Sequence, residues 1–207
     1  MKYSSLYKTA LFDNVLPFWE NNSLDKVNGG YFTCLDRKGM VYDTDKFIWL
    51  QGRQVWLFSM LYNTVENKDS WLKMAESGAL FLKNHGSDNQ GNFYFSLNKE
   101  GKPLVQPYNI FSDCFAAMAF GQYAEATGDE AFKKLAIGTY RNILRKRGNP
   151  KGAYEKNTGI RDLKNFALPM ILSNLVLELE DILDEEEVNQ TIDFSVKEVM
   201  EIFLQKV

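Results

Sequence analysis

One ten-residue stretch of this chain is written twice, 62 positions apart. Gly30-Tyr31-Phe32-Thr33-Cys34-Leu35-Asp36-Arg37-Lys38-Gly39 aligns with Asn92-Phe93-Tyr94-Phe95-Ser96-Leu97-Asn98-Lys99-Glu100-Gly101, with aromatics on aromatics, Leu35 on Leu97 and Gly39 on Gly101. The same step carries Trp49 onto Phe111, and a fainter third copy, Gly152-Ala153-Tyr154-Glu155, starts one nearly equal step after Gly91. A fixed period of this kind marks stacked supersecondary units, none of which can bury its apolar face alone. Each copy reads as a short extended aromatic segment and a Gly turn that leads into a helix.

The helices between the turns are of two kinds. Residues 45–62 carry Trp49, Trp56 and Met60 on one face and Leu50, Leu57 and Leu61 on another. Residues 109–123 are almost wholly apolar, with Asp113 their only charge, and residues 163–179 are apolar nearly all round after Lys164. A helix that is apolar on every face is buried between layers. Residues 5–20, 71–84, 130–147 and 186–205 instead keep Lys, Arg and Glu along one side, as surface helices do. The alternation predicts an all-α fold with buried helices inside and amphipathic helices outside, an arc of an α/α toroid with short β-hairpin-like aromatic and Gly segments. One domain is expected over residues 1–207. A closed ring of six hairpins at this period would need about 360 residues. This chain supplies about three hairpins and one extra helix, so an open apolar flank is expected, and such a flank is an association surface.

Composition narrows the function classes. Of the 207 residues, 45% are hydrophobic and 14% aromatic, which supports a sizeable core, and the net charge of −3 gives no reason to expect nucleic acid or an anionic membrane as partner. The longest apolar run, residues 166–177, is too short to span a bilayer and contains Pro169 and Asn174. No apolar leader follows Met1-Lys2-Tyr3-Ser4-Ser5, so a cytoplasmic location is expected. Cys34 and Cys114 have no metal-site spacing and are expected as reduced core residues.

Several further segments, in order along the chain, resemble the N-acylglucosamine 2-epimerase (renin-binding protein) family. Trp49-Leu50-Gln51-Gly52-Arg53-Gln54-Val55-Trp56 is similar to the family's WLQGRQ-W signature. Gly29-Gly30-Tyr31-Phe32 and the D-x-x-G-x-V-Y-D pattern from Asp36 to Asp43 resemble the stretches before it. Ile110-Phe111-Ser112-Asp113-Cys114-Phe115 is similar to the family's IFSEC-F segment, and Ala167-Leu168-Pro169-Met170 to its A-V-P-M segment. The resemblance runs from about residue 15 to 180 and covers what would be the N-terminal half of the family's (α/α)6 barrel. It implies interconversion of N-acetylglucosamine and N-acetylmannosamine by removal and return of the proton at C2. The two acid–base histidines would come from the family's C-terminal half, which would leave the activity incomplete in this chain. It also implies ATP as an allosteric effector with no cofactor required, and a homodimer or a complementary C-terminal half as partner. Met170 stands where cellobiose-epimerising relatives place histidine, which favours the amino-sugar branch.

Arg53 is the leading candidate for a site residue. It lies four residues after Trp49 and three before Trp56 on a helix expected to be buried, where an unpaired guanidinium is costly. Either it pairs with a core carboxylate such as Asp113, or it faces a sugar and stabilises charge on an enediolate oxygen. Trp49, Phe111 and Phe115 read either as core or as an aromatic wall for a sugar face. Asp113 reads as a group that orients Arg53 or touches a hydroxyl, and Met170 completes the substrate-binding set. His85, the single histidine, sits near a helix end before Gly86 and is expected to interact with the helix dipole rather than to catalyse. The basic run of residues 141–147 and the acidic run Asp184-Glu185-Glu186-Glu187 read as solvated helix ends that need no partner. Two other readings stay open. One is a non-catalytic carbohydrate-binding or scaffold module that self-associates through its open edge. The other is a glycosidase, for which Asp113 with Glu155 is the one carboxylate pair to consider.

Overall fold

The computed structural model describes residues 2–107, 109–148 and 165–204. The chain starts with helix α1 (Lys2–Ala10), one π-helical turn (Leu11–Val15) and α2 (Leu16–Asn22). A hairpin of β1 (Cys34–Leu35) and β2 (Val41–Asp43) follows, then β3 (Lys46–Phe47), and then two helices, α3 (Ile48–Thr64) and α4 (Asp69–His85). The second unit repeats this with β4 (Ser96–Leu97), β5 (Pro103–Val105), α5 (Phe111–Thr127) and α6 (Glu130–Lys146). The described chain ends with α7 (Ala167–Glu178), α8 (Glu185–Glu198) and a second π turn (Val199–Phe203).

The repeat is as regular in three dimensions as on paper. Strands β4 and β5 begin at Ser96 and Pro103, the positions onto which the repeat carries Cys34 and Val41, where β1 and β2 begin. Gly39 and Gly101 close the two hairpins at φ 84° and 86°, a conformation open to glycine because it has no Cβ. The carboxylate oxygen Oδ1 of Asp36 accepts from the Met40 N–H, and the amide oxygen of Asn98 accepts from the corresponding Lys102 N–H. A Cβ at Gly101 would also lie 2.5 Å from the His85 ring. Gly101→Ala is therefore expected to lower stability by at least about 1–2 kcal/mol from the left-handed backbone alone. Urea unfolding of the two proteins checks this. The third copy at Gly152–Glu155 lies outside the described residues.

Helices α3, α5 and α7 form one layer, with α3 against α5 and α5 against α7; α4, α6 and α8 pack behind α3, α5 and α7 in turn. The apolar core runs between the layers through Val55, Phe58, Phe81, Leu82, Ala117, Phe120, Ile143, Leu172 and Leu175. The expected alternation of buried and amphipathic helices is what the structure contains. Close approach of the layers depends on small residues. At Gly78 a Cβ would meet the Tyr31 ring at 2.4 Å and Val55 at 2.5 Å.

Three expectations need correction. Residue 45 does not begin a helix: Lys46 and Phe47 pair antiparallel with Leu97 and Ser96, so α3 starts at Ile48 and strand β3 ties the first unit to the second. Cys114 is fully buried, but Cys34 is only half-buried in β1; both are free thiols. The charged runs also have partners. Arg141 donates from Nε and Nη2 to the two oxygens of Glu187 at 2.8 and 3.0 Å, and Arg147 lies 4.4 Å from the Phe194 ring centroid. The basic end of α6 therefore docks on α8.

At the last hairpin, Met170, Leu177, Val196 and Met200 are exposed. Among the described residues, no helix is long and apolar enough to cross a membrane.

Candidate functional site

The two inner helices α3 and α5 present their first turns side by side. On α3, Trp49 and Arg53 are one turn apart, and on α5 so are Phe111 and Phe115. The Arg53 guanidinium carbon lies 5.5 Å from the Trp49 ring centroid and 4.8 Å from that of Phe115. The two rings are 6.3 Å apart and inclined at 48°. A guanidinium over two aromatic faces is held by their quadrupoles, which leaves its N–H donors available.

Burial separates the two environments admitted for Arg53. Its helix is a core helix, but Arg53 itself is exposed, and among the described residues it has no hydrogen bond or ion pair. The Arg53–Asp113 pair admitted by the sequence is not formed. The Asp113 side chain is 0% exposed, and its Oδ1 accepts from the Lys146 ammonium at 2.6 Å. Burial pushes the Asp113 carboxyl above its ordinary value, while the Lys146 ammonium and the Phe93 backbone act against that rise. The geometry follows from helix periodicity: Asp113 stands two residues from both Phe111 and Phe115, on the opposite side of α5. It lies behind the aromatic wall, and Trp49, Phe111 and Phe115 are half-buried. Met170, in the first turn of α7, is 56% exposed. His85 ends α4 in the outer layer, exposed, with its ring 5.2 Å from that of Phe81. Glu155 lies outside the described residues.

Four supporting residues escaped the reading of the sequence. Gln51 clamps the backbone of Tyr31, with its Oε1 accepting from the Tyr31 N–H and its amide donating to the Tyr31 carbonyl, both at 2.8 Å. The Trp56 indole donates to Glu178 Oε2 at 2.7 Å, which joins α3 to α7 along the inner layer. Lys146 also donates to the Asn92 amide oxygen at 3.0 Å. Lys46 is 0% exposed and bonded to Asp25 at 2.8 Å. The place of the glutamine in the repeat was a usable signal, because the step that carries Tyr31 onto Phe93 also carries Gln51 onto Asp113.

A family model described as N-acylglucosamine 2-epimerase (GlcNAc 2-epimerase) matches residues 30–206. This chain belongs to the N-acylglucosamine 2-epimerase family. The matched span takes in both hairpin units, the Trp49–Arg53–Phe115 wall and the α7–α8 pair. The N-acylglucosamine 2-epimerase of Rattus norvegicus is 35% identical over 181 residues, covering 84% of this chain and 43% of the rat protein. A cellobiose 2-epimerase of Ruminococcus albus is 32% identical over 138 residues, 66% of this chain and 35% of that protein. The chain therefore spans less than half the length of the curated relatives it matches. Among solved structures, the cellobiose 2-epimerase of Bacillus thermoamylovorans B4167 superposes with a TM-score of 0.84 at 20% identity, covering 99% of this chain and 57% of that one. The shared fold is the (α/α)6 toroid, of which this chain covers about half.

Proposed function

We propose that this chain is the sugar-recognising portion of a 2-epimerase that interconverts N-acetylglucosamine and N-acetylmannosamine, with the proton-transfer groups supplied from outside these 207 residues. The observation that carries this reading is Arg53, an exposed cation held over Trp49 and Phe115 with no carboxylate neutralising it among the described residues. Aromatic faces suit the C–H faces of a sugar. An unneutralised guanidinium suits the oxygen that becomes negative when the open-chain sugar loses its C2 proton. The wall itself cannot carry out the proton transfer. Inverting C2 needs an acceptor and a donor of near-neutral pKa on opposite faces of that carbon. Trp49, Phe111, Phe115 and Met170 carry no group that can take up or return a proton, Arg53 offers donors but no acceptor, and Asp113 is turned away to Lys146. ATP as an effector and pairing of two copies belong to the same proposal and rest on family membership.

Tryptophan fluorescence titration and C2 proton exchange in heavy water test the proposal together. The chain is expected to bind N-acetylmannosamine and N-acetylglucosamine ahead of cellobiose and mannose, and to exchange no C2 proton above background by itself. Once the complementary half of the protein is supplied, exchange is expected, and Arg53→Ala then slows it by about 10²–10³-fold. Since Arg53 is exposed, the same substitution should change stability by no more than about 0.5 kcal/mol. Exchange by the unaided chain would overturn the assignment of proton transfer elsewhere. Sugar binding that is unchanged in Arg53→Ala would remove the wall from the site.

A further inference from the structure

We infer that Lys146, acting through Asp113, is a positioning residue for the sugar wall: a charged latch that holds the first turn of α5 so that the Phe115 ring stays under the Arg53 guanidinium. This rests on the proposed function above for its meaning, but its geometry stands apart from any substrate. The two repeat units solve the same problem with different chemistry. In the first unit, neutral Gln51 on the inner helix satisfies both the N–H and the carbonyl of Tyr31, so the aromatic segment is locked to α3 by one side chain at two 2.8 Å bonds. In the second unit, the repeat places Asp113 at the Gln51 position and Phe93 at the Tyr31 position.

A carboxylate can accept but cannot donate, so Asp113 cannot reproduce the glutamine clamp. It is also wholly buried, where an unpaired charge is costly. Lys146 resolves both difficulties. It reaches from the last turn of α6 to Asp113 Oδ1 at 2.6 Å and to Asn92 Oδ1 at 3.0 Å, and so binds the inner helix, the outer helix and the hairpin segment at one point. Among the described residues Asp113 Oδ2 has no hydrogen-bond partner, and Lys146 is the cation paired with this carboxylate. Asp113 lies between Phe111 and Phe115 in sequence, and of the two rings beside Arg53 that of Phe115 is the nearer. Loosening the latch frees that turn of α5 without touching the wall itself.

The test is a pair of variants read by two signals. The ring-current shift of the Arg53 Nε–H proton, seen by NMR of the guanidinium, reports whether the Phe115 ring lies under Arg53. Fluorescence titration with N-acetylmannosamine reports the use of that geometry. Lys146→Met is expected to reduce the ring-current shift and to weaken sugar binding about tenfold. The double variant Asp113→Gln with Lys146→Met restores a neutral latch of the Gln51 kind, and is expected to recover the shift and bring affinity within about twofold of the unaltered chain. If Lys146→Met proves too unstable to measure, the double variant compared with Asp113→Gln alone decides the point, since only the double variant removes the orphaned ammonium. A loss of thermal stability in Lys146→Met with an unchanged Arg53 shift would overturn the inference, as would a double variant that fails to recover the shift. If the unaltered chain binds no sugar, the proposed function fails, while the Arg53 shift still decides the latch.

Discussion

Replacing Lys46 with methionine is expected to lower stability by about 3–5 kcal/mol, the cost of leaving one partner of a buried ion pair without the other. Lys46 has no exposed surface, and its ammonium donates to Asp25 Oδ2 at 2.8 Å, to the Gly29 carbonyl at 2.6 Å and to the Lys99 carbonyl at 2.9 Å. The Phe81 ring centroid lies 4.4 Å away. One side chain thus gathers the loop before the first hairpin, strand β3 and the turn of the second hairpin. Burial alone would raise the Asp25 carboxyl, but the bonds from Lys46 and from the Asn28 and Val27 N–H groups outweigh it and hold that carboxyl below its ordinary value. Because the folded value is depressed, this contribution to stability is present above the ordinary carboxylate range and is lost as pH falls through the folded value. Without Lys46 the carboxyl loses the cation that helps keep it ionised. The gap in urea midpoint between parent and Lys46→Met should therefore stay wide from pH 7 down to the ordinary carboxylate value and narrow as the pH falls below it. A gap that is constant across this range would mean that Lys46 acts by packing alone.

Lys46 also shows where the sequence stops being legible. The layers could be read because apolar periodicity and the internal repeat are both patterns of the sequence itself, and each hairpin strand follows from its aromatic run and its glycine. The Asp25–Lys46 pair leaves no such trace. Its partners are far apart along the chain and belong to different turns, and the repeat step carries Lys46 onto Tyr108, so the second unit offers no echo. Arg53 gives the opposite lesson. Its helix was read correctly as part of the core layer, and the sequence left two environments open for the guanidinium, a core carboxylate or a sugar. The inner face that bears Trp49 and Arg53 meets solvent, so the guanidinium needs no partner carboxylate and has none among the described residues. Asp113 was placed near the site because it is the only charge among apolar neighbours. Its true partner, Lys146, sits in a basic run that composition alone assigns to solvent.

Gly52, next to Arg53, should respond to substitution in the reverse sense of an ordinary helical glycine. In the interior of a helix, Gly→Ala is normally favourable by about 1 kcal/mol. Gly138 on α6 is the matched case: it is exposed, a Cβ there meets nothing within 4 Å, and Gly138→Ala is expected to gain about that amount. At Gly52 a Cβ would stand 2.6 Å from the Phe115 carbonyl oxygen and 2.7 Å from its carbon. These are backbone atoms of the neighbouring inner helix, so no side-chain rotation relieves the contact and α3 and α5 must move apart. Overpacking of this kind costs about 1–3 kcal/mol, enough to reverse the propensity gain in Gly52→Ala, and the bulk of Gly52→Leu should exceed about 3 kcal/mol and leave little folded protein. The consequence for function follows from which residue is pushed. Phe115 supplies the ring 4.8 Å from the Arg53 guanidinium, so separating the helices opens the wall at its centre. Folded Gly52→Ala is therefore expected to bind N-acetylmannosamine at least tenfold more weakly, or about 1.4 kcal/mol, although no atom of the wall has been removed. Full affinity in that variant would show that the spacing of α3 and α5 is not what shapes the site.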